Sequence, residues 1–280
     1  IQNAVKKTGV TVYPLKTGLA TEGVDLGGPS ASDSAPARIV ALLVGEGVNN
    51  NDAGEIWHLL DQRYDVPCVL LDQANLRNNL SSYTHIVLVD GNYSSSVASK
   101  LKDFAGGGGT LIAFGRATKF LKINELAHFE LKQPKENKAE SKRRPYSNLE
   151  NDEGAQVIGG AIFEAEADLT HPLLFGFRES KIPVFRGDTI FMQPTRNAYA
   201  TPLTYTANPL LSGYLSQKNK ELAKNAASIV VSSANGGRSI CMIDNPAFRA
   251  FWFGTNKLFA NMIFFSNLIQ SNALEQPKKE

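Results

Sequence analysis

Four histidines, two cysteines and a handful of acidic residues at strand ends are where this 280-residue chain could carry chemistry. His58-Leu59-Leu60-Asp61 sets an imidazole and a carboxylate one helical turn apart. That is half of a zinc pattern, which needs His-x-x-Glu and a distant second His to leave one open position on the metal. Without the other half, the pair reads as a hydrogen-bonded surface or interfacial couple. His85 opens a strand, and His171 precedes Pro172 at a turn. Cys68 and Cys241 sit in the apolar runs Val66–Leu71 and Ser239–Ile243, so they read as inert thiols in buried strands and leave the redox compartment undecided. Gly45-Glu46-Gly47 fails the order of a phosphate loop because Asn50 stands at the third glycine position. Gly106 to Gly109 precedes a strand, which suits a helix stop better than a dinucleotide loop.

In an open parallel sheet, ligands sit beyond the carboxyl ends of the strands, where helix N-termini converge. The residues expected there are Glu46, Asp90 with Asn92, Gly115 with Arg116, and Asp244 with Asn245 and Arg249. Together they make a candidate pocket of two cations and three carboxylates. The competing reading is that they cap helices, close loops and pair with one another. A hydrolase built from Glu46 with Asp90 or Asp244, around a water or a metal, would need carboxylate oxygens within ~5 to 10 Å of each other.

The elements that must position these residues are legible as alternating patterns. Apolar runs at 38–44, 67–71, 84–91 and 110–114 read as strands covered on both faces. Between them, Asp52 and Glu55 have the spacing of a capping box for a helix over 52–63, and Ser94 or Ser95 caps a second through Val97, Leu101 and Phe104. Strands alternating with helices build right-handed βαβ units. The fold class is therefore α/β, a doubly wound, mostly parallel, flavodoxin-like sheet. From 161 onward the pattern turns antiparallel. A strand is expected at 161–167, a hairpin of 182–185 with 189–192 around Arg186-Gly187-Asp188, and a short strand at 200–205. Asn235-Gly236-Gly237 joins two further strands as a tight hairpin, and Thr255 opens a helix whose apolar stripe runs through Leu258, Phe259, Met262 and Ile263.

Around this core, residues 1–37 read as a linker or arm with one strand-like stretch at 10–15. Residues 132–153 read as a charged insertion whose Ser147–Glu150 capping box starts a helix, and 271–280 as a polar tail. A chain 42% apolar and 20% charged holds enough apolar mass for a large core and is not disordered. Its net charge of +2 is too even for a nucleic-acid footprint. No apolar run approaches the ~20 residues of a membrane span.

Several phrases occur in a telling order: Thr170-His171-Pro172-Leu173-Leu174-Phe175-Gly176-Phe177, Ile182-Pro183-Val184-Phe185-Arg186-Gly187, Leu211-Ser212-Gly213-Tyr214-Leu215, then Phe248-Arg249 and Gly254-Thr255-Asn256-Lys257-Leu258-Phe259. Over most of residues 38–270 the chain resembles the C-terminal region of secreted bacterial proteins of the zinc-dependent carboxypeptidase family, itself similar to a class I glutamine amidotransferase domain. The resemblance implies a secreted or periplasmic piece of a longer product, in keeping with a first residue, Ile1, that is not Met. It implies an upstream carboxypeptidase-like domain as partner, with peptide or glycan as further candidates. Any zinc would lie upstream, and no cofactor is expected in this piece. An amidotransferase of this class needs a cysteine on the sharp turn after a strand and a His held by a carboxylate. Here that turn, after the fourth strand, reads Ala113-Phe114-Gly115-Arg116-Ala117. Neither Gly115 nor Arg116 can form an acyl intermediate, and the Thr118 hydroxyl, two or three residues into the following helix, is expected to point away from the turn. His128-Phe129-Glu130 has the spacing of the His and acid pair but precedes the strands that would supply it. The expectation is a non-catalytic amidotransferase-like module, with unconventional carboxylate chemistry as the alternative.

Overall fold

The computed structural model describes residues 2–14, 16–22, 37–76, 79–134 and 143–278. The Gly/Ser/Pro-rich run 23–36 and the middle of the charged insertion, 135–142, lie outside them. The chain divides into two units, Ile1–Ala37 and Arg38–Glu280. In the first, Gln2–Thr8 forms helix α1, and the described part of the strand-like stretch, 10–14, forms no strand.

The second unit is built on one sheet of nine strands. These are β1 (Val40–Val44), β2 (Cys68–Asp72), β3 (His85–Leu88), β4 (Thr110–Phe114), β5 (Ala161–Ala167), β6 (Lys181–Arg186), β7 (Leu203–Gly213), β8 (Ala227–Ala234) and β9 (Gly237–Met242), in the order β2-β1-β3-β4-β9-β8-β7-β5-β6. The run β2-β1-β3-β4-β9 is parallel, and β8, β7, β5 and β6 extend it antiparallel. The helices are α2 (Asn50–His58), α3 (Ser95–Gly106), α4 (Ala117–Ile123), α5 (Leu149–Gly154), α6 (Gln217–Ala223) and α7 (Asn256–Phe264).

The continuous apolar runs account for the centre: every residue of β3 and β4 is buried, as are the first four of β1. The chain steps from β1 outward to β2, then crosses back to the other side of β1 for β3, which opens a crevice between the carboxyl ends of β1 and β3. The β8–β9 hairpin closes as the Asn-Gly pair requires. Asn235 and Gly236 take φ of 45° and 104°, and Ala234 pairs with Gly237. Gly237 has no room for a side chain, since a Cβ there would lie 2.2 Å from the Gly109 carbonyl oxygen.

Several local expectations are corrected. β2 is an edge strand with Val69 and Leu70 exposed, so its apolar run does not mark a strand covered on both faces. Helix α2 starts two residues early because Asn49, not Asp52, is its cap: the Asn49 side chain accepts from the backbone N–H of Asn51 and Asp52. It ends in a π-helical turn, Leu59–Arg63. The hairpin around Arg186-Gly187-Asp188 does not form; β6 pairs with β5, and 187–191 leave the sheet. The reason is Arg186, whose side chain turns fully inside and donates to the carbonyls of Ile243 and Ile190, pulling the chain over the sheet. Ser147 is not a cap; Asn148 takes that position in front of α5, with no side-chain bond. The tail is no loose polar end either. Leu274 and Glu275 are buried, Glu275 bridges to Ser232, and its carboxylate takes Arg196 at 2.9 Å and the Asn197 amide at 2.8 Å.

Candidate functional site

A cleft of about 180 Å³ opens at the carboxyl ends of β3, β4 and β9, facing the first turn of α2. Asn49, Asp52 and Ile56 line it from α2, Asp90 from beyond β3, Gly115 from beyond β4, and Asp244 and Asn245 from beyond β9. Phe185, Gly187 and Asp188 close it from the end of β6, beside Phe248. It lies at the carboxyl edge of the sheet, where such folds place ligands, but beside the β1–β3 crevice rather than in it, since neither β1 nor residues 45–48 line it.

Four of the eight residues expected here do line the cleft: Asp90, Gly115, Asp244 and Asn245. Arg116 sits at the rim and is held by Asp90, donating from Nε to both carboxylate oxygens at 3.0 and 3.1 Å and from Nη2 at 2.8 Å. This pairing pushes the guanidinium pKa up from its ordinary value. Arg249 contributes its backbone, whose N–H donates to Glu55 at 2.6 Å, while its guanidinium lies 5.2 Å from the centre of the Phe248 ring. Glu46 and Asn92 are not among the lining residues. Their carbonyls both accept from the Gln73 side chain, which ties the loops after β1 and β3 together.

Three acidic residues were missed. Asp52 and Glu55 are hidden because their spacing is that of a capping box, and Asp188 because Arg186-Gly187-Asp188 reads as a hairpin turn. The usable signal was position: a helix that follows a strand puts its first-turn acids over the strand ends. Glu55 takes the Asn245 amide at 2.7 Å as well as the Arg249 N–H, so it holds the loop after β9. Asp188 accepts the Ile190 N–H at 2.8 Å. Burial, reinforced by Glu55 and Asp90 and partly offset by Arg116, lifts the Asp52 carboxyl to a pKa of about 7.

Asp244 is the floor of the cleft and is fully buried. Tyr205 and Ser228 each donate to it at 2.5 Å, and the Arg186 guanidinium stands 3.8 Å away. Burial raises its pKa, and those three partners oppose the rise. Phe185 and Phe248 stack face to face with ring centres 3.5 Å apart, forming an apolar wall.

The turn after β4 decides what the cleft can do. Gly115 takes φ of 54°, the left-handed conformation of a nucleophile turn, and a Cβ built on it would lie 2.8 Å from Asp90 Oδ1. In a nucleophile turn the next amide faces the oxyanion. Here that amide, Arg116 N–H, donates to Asp90 Oδ1 at 2.7 Å. A carboxylate thus occupies both the space a nucleophilic side chain would need and the donor an oxyanion would need. Thr118 is buried and donates to the Gly115 carbonyl at 2.7 Å.

The other candidates lie elsewhere. His58 Nδ1 has no partner and Asp61 accepts from Gln62, so the expected His58–Asp61 bond does not form. His128 and Glu130 line a separate surface hollow, where Glu130 pairs with Lys278 at 2.7 Å. Both cysteines are free thiols, and burial pushes Cys68 up to about 12 and Cys241 higher still. Cys68 is only partly buried, at the start of an edge strand. Among the described residues, no three His, Cys, Asp or Glu side chains are grouped to hold a metal.

No protein-family model matches this chain, and no curated protein matches it. Solved structures do. A chain in the structure of PurLQS from Thermotoga maritima superposes with a TM-score of 0.54 at 12% identity, over 84% of this chain and 100% of that one. A ThuA-like protein from Parabacteroides merdae gives 0.51 at 13% identity, over 81% and 88%. The fold is class I glutamine amidotransferase-like. At these identities the likeness is one of fold, and function has to be argued from the site.

Proposed function

We propose that this chain is a non-catalytic binding domain on an amidotransferase-like scaffold, with the cleft at the β3, β4 and β9 ends as its recognition site. The observation that carries this is Asp90, whose carboxylate fills the nucleophile turn and takes the Arg116 amide. The cleft presents acceptors: Asp52 and Asp188 face it, while Asp90 and Asp244 already have cationic partners in Arg116 and Arg186. Such a surface suits a ligand that donates several hydrogen bonds, an amine or a polyol, as peptides and glycans both do. In this proposal the domain serves a secreted or periplasmic carboxypeptidase-related protein, with zinc held in the upstream domain. The ordered phrases from Thr170 to Phe259 support that parentage.

Two measurements test the reading. Glutaminase and peptidase assays of the chain, with and without zinc and beside Arg116→Cys, are expected to show no turnover by the unmodified protein; turnover would overturn the non-catalytic assignment. Amide spectra recorded during titration with lysine-rich peptides and with oligosaccharides are expected to shift Asp52, Gly115 and Asn245. A site silent to both ligand classes would overturn the recognition assignment. The hydrolase alternative based on Glu46 gains nothing, because Glu46 does not line the cleft.

A further inference from the structure

The nine-stranded sheet has two edges, and they are finished differently. At the β6 edge, Pro183 has no N–H to offer and is exposed, and Lys181 is bonded across to Glu164 at 3.1 Å. Proline and lysine on an edge are the ordinary means of preventing another strand from pairing there. Within β2 there is neither, although Pro67 stands directly before its first residue. Cys68-Val69-Leu70-Leu71-Asp72 pairs with β1 on one side, and its other backbone edge has no strand partner among the described residues. Val69 and Leu70, which point to opposite faces of the sheet, are 41% and 51% exposed, so among the described residues neither face is covered at this edge. A mostly apolar edge of this kind, with its single charge at the last residue, Asp72, is a template for a further strand.

We propose that the occupant is β2 of a second copy of this chain, paired antiparallel about a two-fold axis at Leu70 to join two nine-stranded sheets. The strand is suited to itself. About that axis Leu70 meets Leu70 of the second copy, Val69 meets Leu71, and Cys68 meets Asp72. The one charge in the strand therefore faces a neutral thiol rather than its own copy, and no like charges are opposed. Five residues a side make a small interface, below the ~1,000 Å² of a stable complex unless flanking loops join in, so association is weak and concentration-dependent.

The test uses the full chain. Sedimentation velocity from about 5 to about 500 μM is expected to carry the mean mass from that of the 30.4 kDa monomer toward twice that value. Those amides of Cys68–Asp72 that face away from β1 gain hydrogen-exchange protection over the same range, which identifies strand pairing without any substitution. Leu70→Lys and Val69→Lys, each a change at an exposed side chain, are expected to weaken dimerisation at least tenfold and leave the circular dichroism spectrum unchanged. A monomer throughout, a dimer indifferent to both lysines, or protection that appears only with a different protein would each overturn the proposal.

Discussion

Asp52→Asn is expected to stabilise the protein, and to do so more at alkaline than at acid pH. In the native state the carboxyl titrates near 7, against an ordinary value of 3.8, chiefly because it is buried beside Glu55 and Asp90. The folded state therefore holds a proton that the unfolded chain has released. Between pH 3.8 and about 7 the stability of the wild type falls as pH rises; above 7 the loss is complete and constant. At ~1.4 kcal/mol per pH unit the ceiling is about 4 kcal/mol, and screening by solvent in an open cleft reduces that to about 2 kcal/mol. The neutral amide removes this cost and can still accept from Asn245, which stands 3.5 Å from Asp52 Oδ1. Urea unfolding of both proteins should show a gain of about 2 kcal/mol at pH 8 and less than half of that at pH 5. An equal gain at the two pH values, or a loss at pH 8, would refute the argument that Asp52 is a strained, proton-holding carboxyl.

Four further outcomes follow from the same structure. Arg186→Met strips Asp244 of its buried cation and leaves the Ile243 and Ile190 carbonyls without a donor, so denaturant melts should show a loss of ~3 to 5 kcal/mol. Gly115→Ala places a methyl against Asp90 at a positive φ and should cost ~1 to 3 kcal/mol, whereas Gly237→Ala drives a Cβ onto two backbone carbonyls and should yield little folded protein on expression. Thiol titration at pH 7.5 should find Cys68 slow and Cys241 unreactive until denaturant is added.

The parallel half of the sheet was legible because strands buried on both faces read as unbroken apolar runs, and β4 falls where that pattern puts it; in the antiparallel half, β5 falls where its alternation puts it. The Asn-Gly hairpin was legible because only a primed turn fits it. What misled was residues that satisfy a local rule while serving a distant partner. Asp52 and Glu55 obey capping spacing, yet Asn49 makes the cap and Glu55 reaches the loop after β9. Arg186-Gly187-Asp188 looks like a turn, yet the arginine is drawn inward by Asp244 and two carbonyls nearly 60 residues away or just beyond it. The β2 run looks central because periodicity reports apolar content and says nothing of strand order. At the site, the strand-end rule found the four residues that follow β3, β4 and β9 directly. It missed the three that arrive through α2 and through the chain leaving β6, since their placement depends on tertiary contacts.

Arg249 and Ala250 take φ of 48° and 55° without being glycine, and Glu55 grips the first of them by its amide. One acid on α2 thus sets the aperture of the cleft by tethering the opposite lip. Whatever draws α2 toward or away from β9 moves that lip with it, so an occupant that engages Asp52 also pulls, through the same helical turn, on the aromatic wall at Phe248.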